Sequence, residues 1–461
     1  MSLPIKLIQS LQNIKGFSEE AFKAVHQSGC QITSIRLNPE KFKIQNSKFK
    51  NEERVPWNDN GYYLKERPSF TLDPLFHAGA YYVQEASSMF LEEVLKQTVD
   101  ISMPLKVLDL CAAPGGKSTL IQSIISNESL LVSNEVIKTR VNILSENITK
   151  WGAANVIVTN NDPGDFLRLQ NYFDVIVVDA PCSGSGLFRK DAKAIEEWSE
   201  NNVQLCAQRQ QRILADIMPS LKEGGVLIYS TCSYSQQEDE EIGDWLSEEL
   251  KVESLKLKVE EIWGIVETAS EKEKVYGYRF YPDKVKGEGF FIAAFKKKSF
   301  DIEVNNEVKS KNSKLKRKKD ILSANEIEIL KPYLINADDF FFIKQNEEVI
   351  ALPVHLENDL ALIQSALYIK KAGVKLGTII RNELLPAHHL ALSNIINSAL
   401  QKLELDKETA LQYLRKTEIK IESDIKGWVL LTYQQLPVGW IKVISNRINN
   451  YYPKDWRILN K

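Results

Sequence analysis

Apolar residues along the chain gather in short runs: LKVLDLC (105–111), VIVT (156–159), DVIVVDA (174–180) and GGVLIYST (224–231), each bounded by polar or glycine-rich stretches. Runs this short and this apolar read as strands buried on both faces of a parallel sheet. Between the last two lies AIEEWSENNVQLCAQRQQRILADIMPSL (194–221), whose apolar positions recur at helical spacing. Strands alternating with helices predict an α/β fold, a Rossmann-like doubly wound sheet. The pattern thins out at 296–320, KKKSFDIEVNNEVKSKNSKLKRKKD, where Lys309, Lys311, Lys314, Lys316, Arg317, Lys318 and Lys319 form a basic run with no acid among them. That run reads either as a solvated linker or as a linker that also touches phosphates, and both readings put a boundary there. Beyond it a helical stretch is expected from Ser323 to Leu334. After some short strands comes an end punctuated by Gly and Trp, KGWVLLTYQQLPVGWIKVISNRINNYYPKDWRI, that predicts a small β-rich module.

Composition narrows the class. The 461 residues are 43% apolar and 26% charged, enough for roughly two to four domains. No apolar run approaches the roughly 18 residues of a membrane span, and MSLPIKLIQSLQNI lacks the pattern of a secretory signal, so a cytoplasmic protein without membrane contact is expected. Five cysteines without a CxxC pair argue against a disulfide framework and against a zinc ribbon, so no metal is expected. The net charge of −2 means that any binding of nucleic acid must come from local basic patches.

Candidate chemistry lies at the carboxyl ends of the expected strands. In LDLCAAPGGKS, Asp109 closes the first strand, and Ala112, Ala113, Pro114, Gly115 and Gly116 form a turn almost without side-chain bulk before a helix opening near Lys117 and Ser118. Small residues there let a ligand approach backbone N–H groups, although the loop is neither GxGxxG nor a Walker loop. Glu135 in VSNEV stands where an acid would accept hydrogen bonds from two ribose hydroxyls, and Asp162 in NNDPGDF stands where one suits an adenine amino group. Either acid alone reads equally well as a helix cap; together they suggest a nucleoside without a phosphate tail. DAPCSGSGLFRK (179–190) and YSTCSYSQQEDEE (229–241) then bring Asp179, Cys182 and Cys232 to one rim of the sheet. The residues alone do not rank the two thiols.

The order LDLCAAPGGKS, NEV, NDPGDF, DAPCSGSG, YSTCSYSQQEDEE resembles the Sun/Nol/Nop family of S-adenosylmethionine-dependent RNA cytosine-5 methyltransferases, over about residues 30–298. SIRLNP (34–39) and HAGAYYVQEASSM (77–89) look like that family's N-terminal RNA-binding segment and the lead into its catalytic sheet. LPAHHLALS (385–393) and LPVGWIKV (436–443) are similar to its bacterial RsmF-type branch, which methylates small-subunit ribosomal RNA and ends in a PUA-like RNA-binding domain. The resemblance implies an N-terminal RNA-binding segment at 1–80, a methyltransferase domain at 81–298, the basic linker at 299–320, an intermediate α+β domain at 321–395 and a PUA-like domain at 396–461. It implies that Cys111 through Lys117 line the methionine part of S-adenosylmethionine, that Glu135 holds the ribose and Asp162 the adenine, and that Asp179 touches the cofactor and holds cytosine at N3. Cys232 becomes the attacking thiolate, and Cys182 serves product release. The expected partner is 16S ribosomal RNA or the small ribosomal subunit, met by a monomer. Transfer RNA, or a catalytically silent assembly factor that binds RNA, are the alternatives.

Chemistry agrees that a thiol is needed. Carbon 5 of cytosine is a poor nucleophile until a thiolate adds at carbon 6 and turns the ring into an enamine. Other residues read more plainly. Cys30 and Cys206 fit packing positions, His388 and His389 fit capping or surface roles, Phe340, Phe341 and Phe342 fit a core, and Trp428 and Trp440 divide evenly between core and base stacking.

Overall fold

The computed structural model describes residues 3–42, 49–299, 322–420, 425–445 and 447–459; the basic run Lys309–Lys319 lies outside the described residues. The centre is a ten-stranded sheet. Its strands are β1 (Lys106–Asp109), β2 (Leu130–Asn134), β3 (Val156–Thr159), β4 (Phe173–Asp179), β5 (Leu221–Thr231), β6 (Val252–Leu255), β7 (Val266–Ala269), β8 (Tyr276–Phe280), β9 (Phe290–Lys297) and β10 (Ile369–Ala372). The order is β7-β8-β9-β5-β4-β1-β2-β3-β10, with β6 on β9. β1 to β5 run parallel, as the apolar runs predict, and β9 returns antiparallel to β5.

Side-chain alternation gives the sheet two apolar faces. Leu108, Val132, Ile157, Ile176 and Leu227 point to one, Val107, Leu131, Val158, Val175 and Ile228 to the other. Helices cover both: α1 (Gly116–Ile124) and α2 (Lys138–Trp151) lie on the second face, α3 (Glu200–Ile217) and α4 (Glu240–Glu249) on the first. The long helical pattern at 194–221 is broken in two, because Ser199 accepts from the N–H of Asn202 and caps α3.

The flanking segments continue these two layers. Trp57, Met89, Phe90 and Val94 pack on the face of α1 and α2, while Ile350, Leu352, Leu360 and Ile363, from the far side of the basic run, pack on the face of α3 and α4. β10 pairs with β3 as the edge strand of the central sheet. Residues 322–395 therefore share both sheet and core with the methyltransferase strands. Residues 402–450 form a separate four-stranded sheet, as the β-rich ending predicts.

Arg36 of SIRLNP points inward rather than toward a ligand. Its guanidinium donates to Gln84, Ser123 and Thr119 and lies 4.6 Å over the Trp151 ring. Burial pulls it down to about 9. In the terminal module Trp440 is core, its indole N–H donating to the Ala387 carbonyl. Trp428 is half-buried, donates to Glu383 and carries the Lys442 ammonium 5.0 Å above its ring. Phe340, Phe341 and Phe342 are half-buried against the two adjoining cores. His388 departs from the expected capping or surface role. It is buried against Tyr452 and Trp456, and neither ring nitrogen has a partner among the described residues.

Candidate active site

The loop after β1 is shaped by its lack of side chains. Gly115 takes φ +114, which a side chain would strain, and Gly116 then opens α1. A Cβ on Gly116 would meet Tyr82 at 3.3 Å. Asp109 is fully buried beneath this loop: one carboxylate oxygen accepts from Ser118 Oγ at 2.6 Å, and the other has no partner among the described residues. Burial lifts this carboxyl to about 7. Burial likewise pushes the Cys111 thiol up.

Glu135 follows β2 with 3% exposure. One oxygen accepts from the N–H of Ile137 and the other lies 3.6 Å from Arg140. Asp162 follows β3 and does cap a helical turn, accepting from the N–H of Gly164 within a capping box shared with Asp165. Half of its carboxylate stays exposed. An unpartnered buried carboxyl oxygen, a loop without side chains and acids beyond the ends of two neighbouring strands, one of them half-exposed, fit S-adenosylmethionine. Cys111 to Lys117 would line its methionine part, Glu135 would hold the ribose and Asp162 the adenine.

The thiols meet. β4 and β5 are adjacent, and the turns beyond them bring Cys182 Sγ to 3.0 Å from Cys232 Sγ. Two glycines permit this approach: the Gly186 N–H donates to the Cys232 carbonyl at 2.8 Å, and the Gly289 N–H to the Gly186 carbonyl at 3.3 Å. Beside them the Lys117 ammonium lies 2.8 Å from Asp179 and 5.2 Å over the Phe290 ring, while Ser230 Oγ donates to the other oxygen of Asp179 at 2.8 Å. Burial pulls Lys117 down, but Asp179, Asp109 and the charge of Cys232 outweigh it and hold the ammonium above its ordinary value. The hydrogen bond with Cys232 and burial hold the Cys182 thiol well above the usual thiol range.

Several residues of the site are missing from the sequence reading. Phe290 hides in the apolar GFF of the returning strand. Glu238 is buried among the acids of SQQEDEE, a run that resembles a solvated helix start. The remaining cysteines divide: Cys206 is core, as expected, but Cys30 is exposed, a correction to its packing role. It sits in a surface turn whose carbonyl accepts from Arg189. Among the described residues no group of acids, histidines and cysteines could hold a metal ion, and no helix is long and apolar enough to cross a membrane.

A doubly wound sheet with a bare loop after its first strand, acids at the next two strand ends and paired thiols at the fourth and fifth defines an S-adenosylmethionine-dependent methyltransferase. Residues 98–296 match the model of the 16S rRNA methyltransferase RsmB/F, residues 3–86 the N-terminal domain of 16S rRNA methyltransferase RsmF and residues 400–458 the methyltransferase RsmF PUA domain. The ribosomal RNA small subunit methyltransferase F of Vibrio parahaemolyticus is 30% identical over 456 residues, covering 93% of this chain and 92% of its own length. That of Aliivibrio fischeri is 31% identical over 441 residues, covering 92% and 90%. The chain belongs to the ribosomal RNA small subunit methyltransferase F family. Among solved structures, a methyltransferase homologue protein from Pyrococcus horikoshii superposes with a TM-score of 0.52 at 28% identity, over 64% of this chain and all of that one. NSun6 from the same organism, solved with SFG, shares the fold with a TM-score of 0.52 at 20% identity, over 64% of this chain and 99% of its own.

Proposed function

We propose that the chain methylates carbon 5 of a cytosine in RNA through a covalent adduct with Cys232, and that its substrate is the 16S ribosomal RNA of the small subunit, as the names of its relatives indicate. The observation that carries this reading is the 3.0 Å contact between Cys182 and Cys232 beside the Lys117–Asp179 pair.

As a thiolate, Cys232 adds through Sγ to carbon 6, and the ring electrons move toward carbon 5. Asp179, held from both sides by Lys117 and Ser230, presents its exposed edge to cytosine N3. That nitrogen takes a proton from water as the thiolate adds, donates it to the carboxylate in a hydrogen bond and gives it back to water when the adduct breaks up. When bound, S-adenosylmethionine supplies a methyl group on a positively charged sulfur. Release then needs two further proton movements. Water takes the proton from carbon 5, and its electron pair re-forms the double bond to carbon 6. The carbon–sulfur pair returns to Cys232 Sγ, which takes the proton of Cys182 across the 3.0 Å contact as it leaves and hands it back once the ring has gone, restoring the attacking thiolate. One proton shared by two sulfurs thus serves both attack and departure.

The test uses Cys232→Ala and Cys182→Ala on 16S RNA with S-adenosylmethionine. Cys232→Ala should neither methylate nor carry RNA on a denaturing gel. Cys182→Ala should methylate but release slowly, so an RNA-linked band accumulates. Normal methylation by Cys232→Ala, or a trapped band on that variant, overturns the assignment.

A further inference from the structure

The two cysteine loops are joined by Glu238, from the acidic end of the stretch that carries Cys232. Glu238 has no exposed surface. One carboxylate oxygen accepts from the Ser183 N–H at 2.8 Å and from Gln210 Nε2 at 3.2 Å. The other accepts from the hydroxyls of Ser183 and Ser233, the latter at 2.7 Å. Ser183 follows Cys182, and Ser233 follows Cys232. Gln210 also donates to the Pro181 carbonyl at 3.1 Å, so α3 secures the same loop from below. Tyr229 Oη donates to the Glu238 carbonyl at 2.6 Å and lies 3.0 Å from Gln210 Oε1.

Resting on the two-thiol reading above, we propose that Glu238 is a positioning residue: its buried carboxylate spans both cysteine loops, sets the contact between the two sulfurs and keeps the shared proton on Cys182. Every donor around it is an N–H or a hydroxyl, as a carboxylate requires. Burial pushes its carboxyl above the ordinary value and these four donors offset that in part; as the carboxylate they call for, it places a buried anion beside the Cys182 loop. That anion opposes a thiolate on Cys182, whereas the Lys117 ammonium answers the charge of Cys232. A purely structural brace would join the loops without deciding which sulfur is ionised.

Brief alkylation with iodoacetamide, read by mass spectrometry of the two cysteine peptides, reports which sulfur is the thiolate. The wild-type protein should be labelled mainly at Cys232. In Glu238→Gln the ratio of Cys232 to Cys182 labelling should fall about tenfold, the size of one unit in the balance between two thiols. The RNA adduct should also persist, while S-adenosylmethionine affinity by calorimetry stays unchanged. A wild-type labelling ratio and release rate in Glu238→Gln overturn the proposal. Should that variant fail to fold, Ser183→Ala with Ser233→Ala removes both hydroxyl grips and leaves the carboxylate; normal release there overturns it equally. Methylation by Cys232→Ala would instead sink the two-thiol reading, so the two failures are distinguishable.

Discussion

Asn161 and Tyr368 pair as if they stood on neighbouring strands. The Asn161 amide donates to the Tyr368 carbonyl at 3.0 Å, and its carbonyl oxygen accepts from the Tyr368 N–H at 2.9 Å. Asn161 is in turn held by Asn134, which also donates to the Leu110 carbonyl at the foot of the cofactor loop. Tyr368, from beyond the basic run, is thereby tied to the strand end that carries Asp162, the proposed adenine site. Asn161→Ala leaves several buried groups unpaired, at about 1 to 3 kcal/mol each, and is expected to weaken S-adenosylmethionine binding by at least about fivefold. Removal of residues 322–461 uncovers β3 and the core beneath β10, so that fragment is expected to lose cofactor affinity and not RNA affinity alone. A 1–299 fragment with wild-type affinity in calorimetry contradicts this.

Asp162 serves a helical turn and an open edge at once, so two substitutions separate the roles. Asp162→Ser keeps a capping oxygen and is expected to hold its thermal stability while binding S-adenosylmethionine more weakly. Asp162→Ala is expected to lose about 1 kcal/mol of stability as well. Equal affinity in both variants and the wild-type protein removes Asp162 from the adenine site.

Gly186 tolerates no side chain. A Cβ there would meet the Gly289 carbonyl oxygen at 2.4 Å and the Cys232 carbonyl oxygen at 2.8 Å, both backbone atoms. Gly186→Ala must push the two cysteine loops apart, at about 1 to 3 kcal/mol. The expected outcome is a folded protein that binds S-adenosylmethionine but forms little RNA adduct on a denaturing gel.

His77 and His388 join the N-terminal segment to the C-terminal module and make the fold sensitive to acid. Burial lowers His77 to about 4 and His388 to about 3, with the Lys150 ammonium adding to both. Each is neutral when folded and takes up a proton when unfolded below about 6.5. Their contribution is therefore constant above that value, and stability falls as pH drops from about 6.5 toward 4. Each histidine is expected to cost about 1 kcal/mol between pH 7.5 and 5.5. Urea unfolding at the two values checks this, with His77→Gln expected to flatten the difference.

The sequence by itself determined the parallel strands, the bare loop after β1, the strand-end acids and the two thiols on one rim. Each of these depends on local apolar runs, on small residues at a turn and on the handedness of strand–helix–strand units, all of which a short stretch of chain carries within itself. It did not disclose that β10 completes the sheet, that Tyr368 holds Asn161 or that Glu238 spans two loops. Those contacts join residues far apart along the chain, and only the packing of whole elements brings them together. The same reason exposes Cys30 and buries His388: a lone side chain is buried by the element that comes to lie on it, and that element is chosen by the tertiary fold.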